Sequence, residues 1–110
     1  MQNGGSTTVK IAMPESTFKD MYRQVQMTFG FGAKYSELTK IFNTETNYFT
    51  VAQAKQLIQL VSSESNRLEL AKSSYNNIVD PVNFSQLYDI FSSQSSKNEL
   101  AAYVSSNASN

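Results

Sequence analysis

The chain has no cysteine and no histidine among its 110 residues. Without cysteine there are no disulfides and no thiolate metal sites, and the redox compartment stays undetermined. Without histidine the commonest general base and the commonest transition-metal ligand are missing. Charge is scarce as well: Asp, Glu, Lys and Arg make up 16% of the chain, below the roughly 25% of ordinary soluble domains. Nine acids balance nine bases for a net charge of zero. No basic stripe is available to neutralise phosphates, which argues against nucleic acid as a partner. No stretch approaches the roughly 20 apolar residues that span a bilayer, so no transmembrane segment is expected. The opening Met1-Gln2-Asn3-Gly4-Gly5-Ser6 also lacks the apolar core of a signal peptide. It reads like a domain cut from a longer parent.

Ser, Thr, Asn and Gln fill the place of the missing charge and predict a neutral, polar surface, a composition common outside the cytoplasm. Apolar residues form 40% of the chain and thirteen residues are Phe or Tyr, ample for one core. A single domain of this length buries roughly two-thirds of its unfolded surface.

The apolar positions are arranged in a repeat. The segment from Gln56 to Ala71 recurs from Gln86 to Ala101, thirty residues later. A fainter copy holds Gln24-Val25, Phe29 and Glu37-Leu38-Thr39-Lys40 in the same relative places. The spacings Gln24 to Glu37, Gln56 to Glu69 and Gln86 to Glu99 are equal, so no insertion disturbs the unit. A period of about 30 residues is the mark of stacked helical hairpins. The expected fold is therefore all-α, six short helices as three tandem hairpin repeats in one compact domain. Residues 1–13 are expected to be a flexible linker, 14–105 the helical repeat domain and 106–110 a disordered tail.

Local signals place the helices. Pro14-Glu15 suits a first turn, and Phe18, Met21, Tyr22, Val25 and Phe29 form an amphipathic stripe ended by Gly30-Phe31-Gly32. A second helix from about Lys34 carries Tyr35, Leu38, Ile41 and Phe42 on one face. Thr50 with Gln53 predicts a capping box for the third, whose stripe is Val51, Ala54, Leu57, Ile58 and Val61. Asn66 with Glu69 and Ser96 with Glu99 predict boxes for the fourth and sixth. Leu68, Ala71, Tyr75 and Ile78 are expected on the buried face of the fourth helix, and Leu100, Tyr103 and Val104 on that of the sixth. Asp80-Pro81 predicts the start of the fifth, with Phe84, Leu87, Tyr88 and Phe91 inward.

Three runs together, Phe49-Thr50-Val51-Ala52-Gln53, Arg67-Leu68-Glu69-Leu70-Ala71-Lys72 and Asp80-Pro81-Val82-Asn83-Phe84, with Tyr103-Val104 beyond them, carry a resemblance. From about Met13 to Val104 the chain resembles a bacterial helical domain of unknown function, number 4476 in its series. The resemblance implies an all-helical fold and a parent protein exported to the envelope or cell surface. It implies no activity, cofactor or catalytic residue.

Three sets of residues are candidates for function. Gln24, Gln56 and Gln86 sit beside the apolar stripes and either line a groove that hydrogen-bonds a peptide or sugar, or bond neighbouring helix ends. Glu37, Glu69 and Glu99 could pair as catalytic acids, which need a separation of roughly 5–10 Å, but capping accounts for the last two. Phe31, Tyr48 and Phe49 lie in or beside loops, where binding residues concentrate. They either form an exposed contact patch or plug gaps between repeats. The serine-rich turns after Val61 and Phe91 are too short and too poor in acids for a calcium loop of about twelve residues. No phosphate loop, nucleophile elbow or zinc motif is present. No catalytic residue, metal ligand or cofactor is expected. The expected function is a non-enzymatic interaction or structural module of a larger exported bacterial protein, whose partner is another protein or another region of the parent. An envelope glycan- or peptide-binding domain is the alternative, and a carboxylate-based enzyme the third reading.

Overall fold

A computed structural model describes residues 10–108. The parts of the expected linker and tail at 1–9 and 109–110 lie outside the described residues. Within them, the Met13 amide donates to the Tyr48 carbonyl at 3.0 Å and the Lys10 ammonium to the Asn76 carbonyl at 2.9 Å. Helix persists at the other end as far as Ala108.

Helix α1 (Glu15–Gln26) follows Pro14, with Phe18 and Val25 buried. It stops short of Phe29, because the Thr28 hydroxyl donates to the Gln24 carbonyl at 2.8 Å and Gly30 turns the chain at φ 119°. The expectation that Phe29 completes the buried stripe is thereby corrected: Phe29 is exposed. Helix α2 (Ala33–Phe42) starts after left-handed Gly32 (φ 72°) and buries Leu38, Ile41 and Phe42. Helix α3 (Val51–Ile58) opens with the expected capping box, in which the Gln53 amide donates to the Thr50 hydroxyl and the Gln53 side chain accepts from the Thr50 amide.

Helix α4 (Glu64–Ser74) is capped by Ser63, whose hydroxyl accepts from the Asn66 amide. Helix α5 (Gln94–Ala108) is capped likewise by Ser93, which accepts from the Ser96 amide. The boxes expected at Asn66–Glu69 and Ser96–Glu99 therefore do not form, and a single serine cap one turn earlier starts each helix. Glu69 and Glu99 instead flank the Lys72 ammonium. Ile78 lies beyond α4 and its short 3₁₀ turn Tyr75–Asn77, in an isolated parallel bridge with Phe49.

The segment Pro81–Ile90 is a 3₁₀ helix, long for a form that seldom exceeds about four residues. Its buried side chains are Phe84, Leu87 and Ile90, the three-residue period that eclipsed 3₁₀ side chains require. An α-helical stripe would bury Phe84, Leu87, Tyr88 and Phe91. The first two and Phe91 are buried, Phe91 just past the helix end, while Ile90 takes the inward place and Tyr88 stays half-buried. Taking the Tyr75–Asn77 turn as the tail of α4, the described residues form six helices and no strand.

Helix α4 is the hub. It packs on α2, α3, α5 and the 3₁₀ helix, while α1 packs on α2 and α3, and α3 packs on the 3₁₀ helix. Edge-on ring pairs add to this packing: Phe42 of α2 with Phe49 just before α3, and Tyr75 at the end of α4 with Phe84 of the 3₁₀ helix, with centroids 5.4 and 5.0 Å apart. Polar clamps close the helix ends. The Arg67 guanidinium donates to the Val61 carbonyl (2.7 Å) behind α3 and to the Ile90 carbonyl (3.0 Å) at the end of the 3₁₀ helix. The Asp80 carboxylate accepts from the Val51 amide at 2.8 Å and from the Asn83 side-chain amide at 3.0 Å, so it supports the start of α3 and caps no backbone amide of its own helix. Among the described residues no helix is long and apolar enough to cross a membrane.

Candidate functional site

The turn between α1 and α2, Met27 to Gly32, is the most unusual surface of the molecule. Met27 is 69% exposed, Phe29 96% and Phe31 109% of reference area. Burying one such ring is worth about 1.5–3 kcal/mol, so its display costs the isolated fold a gain it could have made. The turn is braced by hydrogen bonds. Met27 donates to the Arg23 carbonyl, Thr28 to Val25 and Ala33 to Gly30, and the Lys34 ammonium donates to the Thr28 carbonyl at 3.0 Å. The rings are thus held out from a structured turn.

Phe31 walls one side of a groove of about 570 Å³. Tyr35 and Lys34 from α2 continue that wall, and Leu60, Val61, Ser62, Ser63 and Asn66 form the other, from the end of α3 into α4. Tyr35 and Leu60 are half-buried and pack on the core, so the groove floor is fixed by the fold. The positive φ angles of Gly30 and Gly32 set the course of the turn, a conformation L side chains rarely adopt.

The other candidates are placed elsewhere. Tyr48 is half-buried at the opposite end of α3, its carbonyl bonded to the Met13 amide and its ring 6.0 Å from the Lys10 ammonium. Phe49 is fully buried against Phe42, because its amide donates to the Asn77 carbonyl and its carbonyl accepts from the Val79 amide. It therefore offers no contact surface, which corrects its place in an exposed aromatic patch. Gln24, Gln56 and Gln86 are all exposed. Gln56 lines a smaller groove of about 330 Å³ with Phe18, Tyr22, Arg23 and Gln26, which neither Gln24 nor Gln86 joins. The spacing of Phe29 continues the α1 stripe and so disguises it as a core residue. The signal against that is local: Thr28 and Gly30 on either side both favour a break.

A second polar cluster joins α4 to α5. The Glu64 carboxylate accepts from the Ser92 amide (2.9 Å), the Ser92 hydroxyl (2.8 Å) and the Ser93 amide (3.0 Å). These bonds, the Ser92 amide foremost, hold its pKa down from 4.5 to about 2. A carboxylate so occupied acts as a cap for the neighbouring helix. Lys72 is pushed above its ordinary value, first by its hydrogen bond to Glu99. Among the described residues no cluster of acids has the arrangement to hold a metal ion.

Residues 12–104 match the family model described as a domain of unknown function (DUF4476), and the chain belongs to that family. No curated protein matches it, and no solved structure does.

Proposed function

For this member of the DUF4476 family, we propose a non-enzymatic protein-interaction module that engages its partner through the Met27–Gly32 turn. The observation that carries the reading is the pair Phe29 and Phe31, both exposed and both presented by a hydrogen-bonded turn beside a groove. Exposed apolar patches beside polar rims mark interaction sites, and aromatic residues dominate the energetics of such sites. Three carboxylates held in structural contacts support the same reading. Glu64 is consumed by the Ser92 and Ser93 donors, and Glu69 and Glu99 flank Lys72.

The scaffold is read as three tandem hairpins. Its first members, α1, α3 and the 3₁₀ helix, pack side by side, as do its second members, α2, α4 and α5. The caps Ser63 and Ser93, thirty residues apart, support this reading. The neutral, amide- and hydroxyl-rich composition supports placement outside the cytoplasm, as one module of a larger exported bacterial protein. A second reading, a glycan- or peptide-binding groove, draws on the concavity shared by Tyr22, Gln26 and Gln56.

The test is a photo-cross-linking amino acid placed in turn at positions 31 and 56, with the exposed Val82 position as control, in the chain expressed in its native cell. The expected result is a discrete protein adduct at 31 and none at 82. Identical background at both positions would contradict the reading, and adducts gathered at Gln56 instead would favour the second groove.

A further inference from the structure

The chemistry of the groove beside Phe31 describes what should fill it. Its apolar lining comes from Phe31, Tyr35, Leu60 and Val61, and its opposite lip carries the polar side chains of Ser62, Ser63 and Asn66. A volume of about 570 Å³ lies within the roughly 300–1,000 Å³ of sites that enclose a small ligand or a few residues of peptide. Lys34 is the one ionised residue in the lining. Among the described residues its ammonium pairs with no carboxylate and donates to the Thr28 carbonyl. An ammonium has three donors, so two are left for a ligand.

Resting on the interaction reading above, we propose that the groove binds a segment of a partner protein in which an apolar or aromatic side chain stands close in sequence to an Asp or Glu. The apolar side chain fills the space between Phe31, Tyr35 and Leu60, and the carboxylate meets Lys34. An ammonium at the edge of an apolar cleft is complementary to that pairing and repels its basic counterpart. The concave shape and the polar lip favour a polypeptide over a bilayer. A peptide backbone offers donors and acceptors to the side chains of Ser62 and Asn66, whereas acyl chains would leave those two groups unpaired; the Ser63 hydroxyl is already engaged as the cap of α4. Stable attachment to anionic lipid also calls for a basic cluster, and Lys34 stands alone in the lining.

The test is selection of a random displayed-peptide library on the immobilised full chain, with phosphatidylcholine–phosphatidylglycerol vesicles as a second probe. The enriched peptides are expected to share an apolar–acidic pair. A synthetic consensus peptide should lose about tenfold in affinity or more with Phe31→Ala, as expected for a central aromatic anchor. With Lys34→Gln it should lose roughly threefold, as for a partly exposed charge pair. That second loss should vanish when the peptide's acid is replaced by its amide, because the pair is then already broken. Phe31 is exposed, so the Ala variant is not expected to disturb folding. The proposal is overturned by failure of any peptide to enrich, by enrichment without an acid, by indifference to Lys34→Gln, or by Phe31-dependent sedimentation with vesicles. If a protein cross-link at position 31 persists through such an outcome, the interaction reading stands and this inference alone fails.

Discussion

Two stretches of this chain carry aromatic residues between helices, and the fold treats them in opposite ways. In the Met27–Gly32 turn the two phenylalanines point to solvent. In the stretch from Asn43 to Phe49, Tyr48 is half-buried and Phe49 is wholly inside. Each stretch holds two aromatic residues. The difference lies in where the backbone finds its partners. Phe49 exchanges two hydrogen bonds with the Asn77–Val79 segment, and that bridge carries its ring onto Phe42. The Met27–Gly32 turn satisfies its backbone locally, through Arg23, Val25 and Lys34. Nothing from a distant segment draws its rings inward. A loop aromatic is therefore part of the core when its backbone is stitched to another element, and a surface feature when the loop closes on itself.

The comparison can be broken most sharply at Phe49. Replacing it by alanine should cost about 3–5 kcal/mol, the penalty for emptying a buried aromatic site, read from urea unfolding. A loss below about 0.5 kcal/mol, ordinary for surface positions, would mean the two stretches do not differ. Next in size are Leu70→Ala and Leu100→Ala, both buried on the hub side of the core. Each should destabilise by about 2–5 kcal/mol, and near-neutral midpoints for both would refute the packing described. Thr50→Ala removes the box that starts α3 beside Phe49 and should cost about 1 kcal/mol. An unchanged midpoint would show that Asp80 alone suffices there.

Acid sensitivity gives a subtler contrast. The folded pKa of Glu64 lies near 2 against an ordinary 4.5, so its contribution is fully present above about 4.5 and disappears as pH falls toward 2. The stability gap between the wild type and Glu64→Gln should accordingly narrow across that interval. A gap that stays constant in pH-dependent unfolding would mean that the Ser92 and Ser93 bonds do not depend on the carboxylate charge.

What could be read from the sequence follows the range of the interactions. The capping box at Thr50 and Gln53 is local and was legible in the chemistry of four residues. The starts of α4 and α5 were not, since Ser62 to Asn66 and Ser92 to Ser96 offer several competent caps in succession and packing selects among them. The 3₁₀ and α forms part by about 20° per residue, but Phe84 and Leu87 fit both periods and Tyr88, Ile90 and Phe91 are all apolar or aromatic, so the pattern does not separate the two. Ile90 and Tyr88 accordingly exchange roles. Of the site, Phe31 was visible as a ring flanked by two glycines. Phe29 was hidden by helical spacing and Phe49 by a long-range bridge. Tyr35, Leu60 and the far lip of the groove depend on α2 and α4 packing side by side, which no local pattern encodes.

The most direct test of the central claim, that the Met27–Gly32 turn is held for a partner and not for the fold, is urea unfolding of the Phe29→Ser/Phe31→Ser double variant. The midpoint and slope should match wild type, with stability changed by less than about 0.5 kcal/mol, as for unpacked surface residues. A loss of about 2 kcal/mol or more, in the range of buried large-to-small changes, would place those rings within the core and contradict the account.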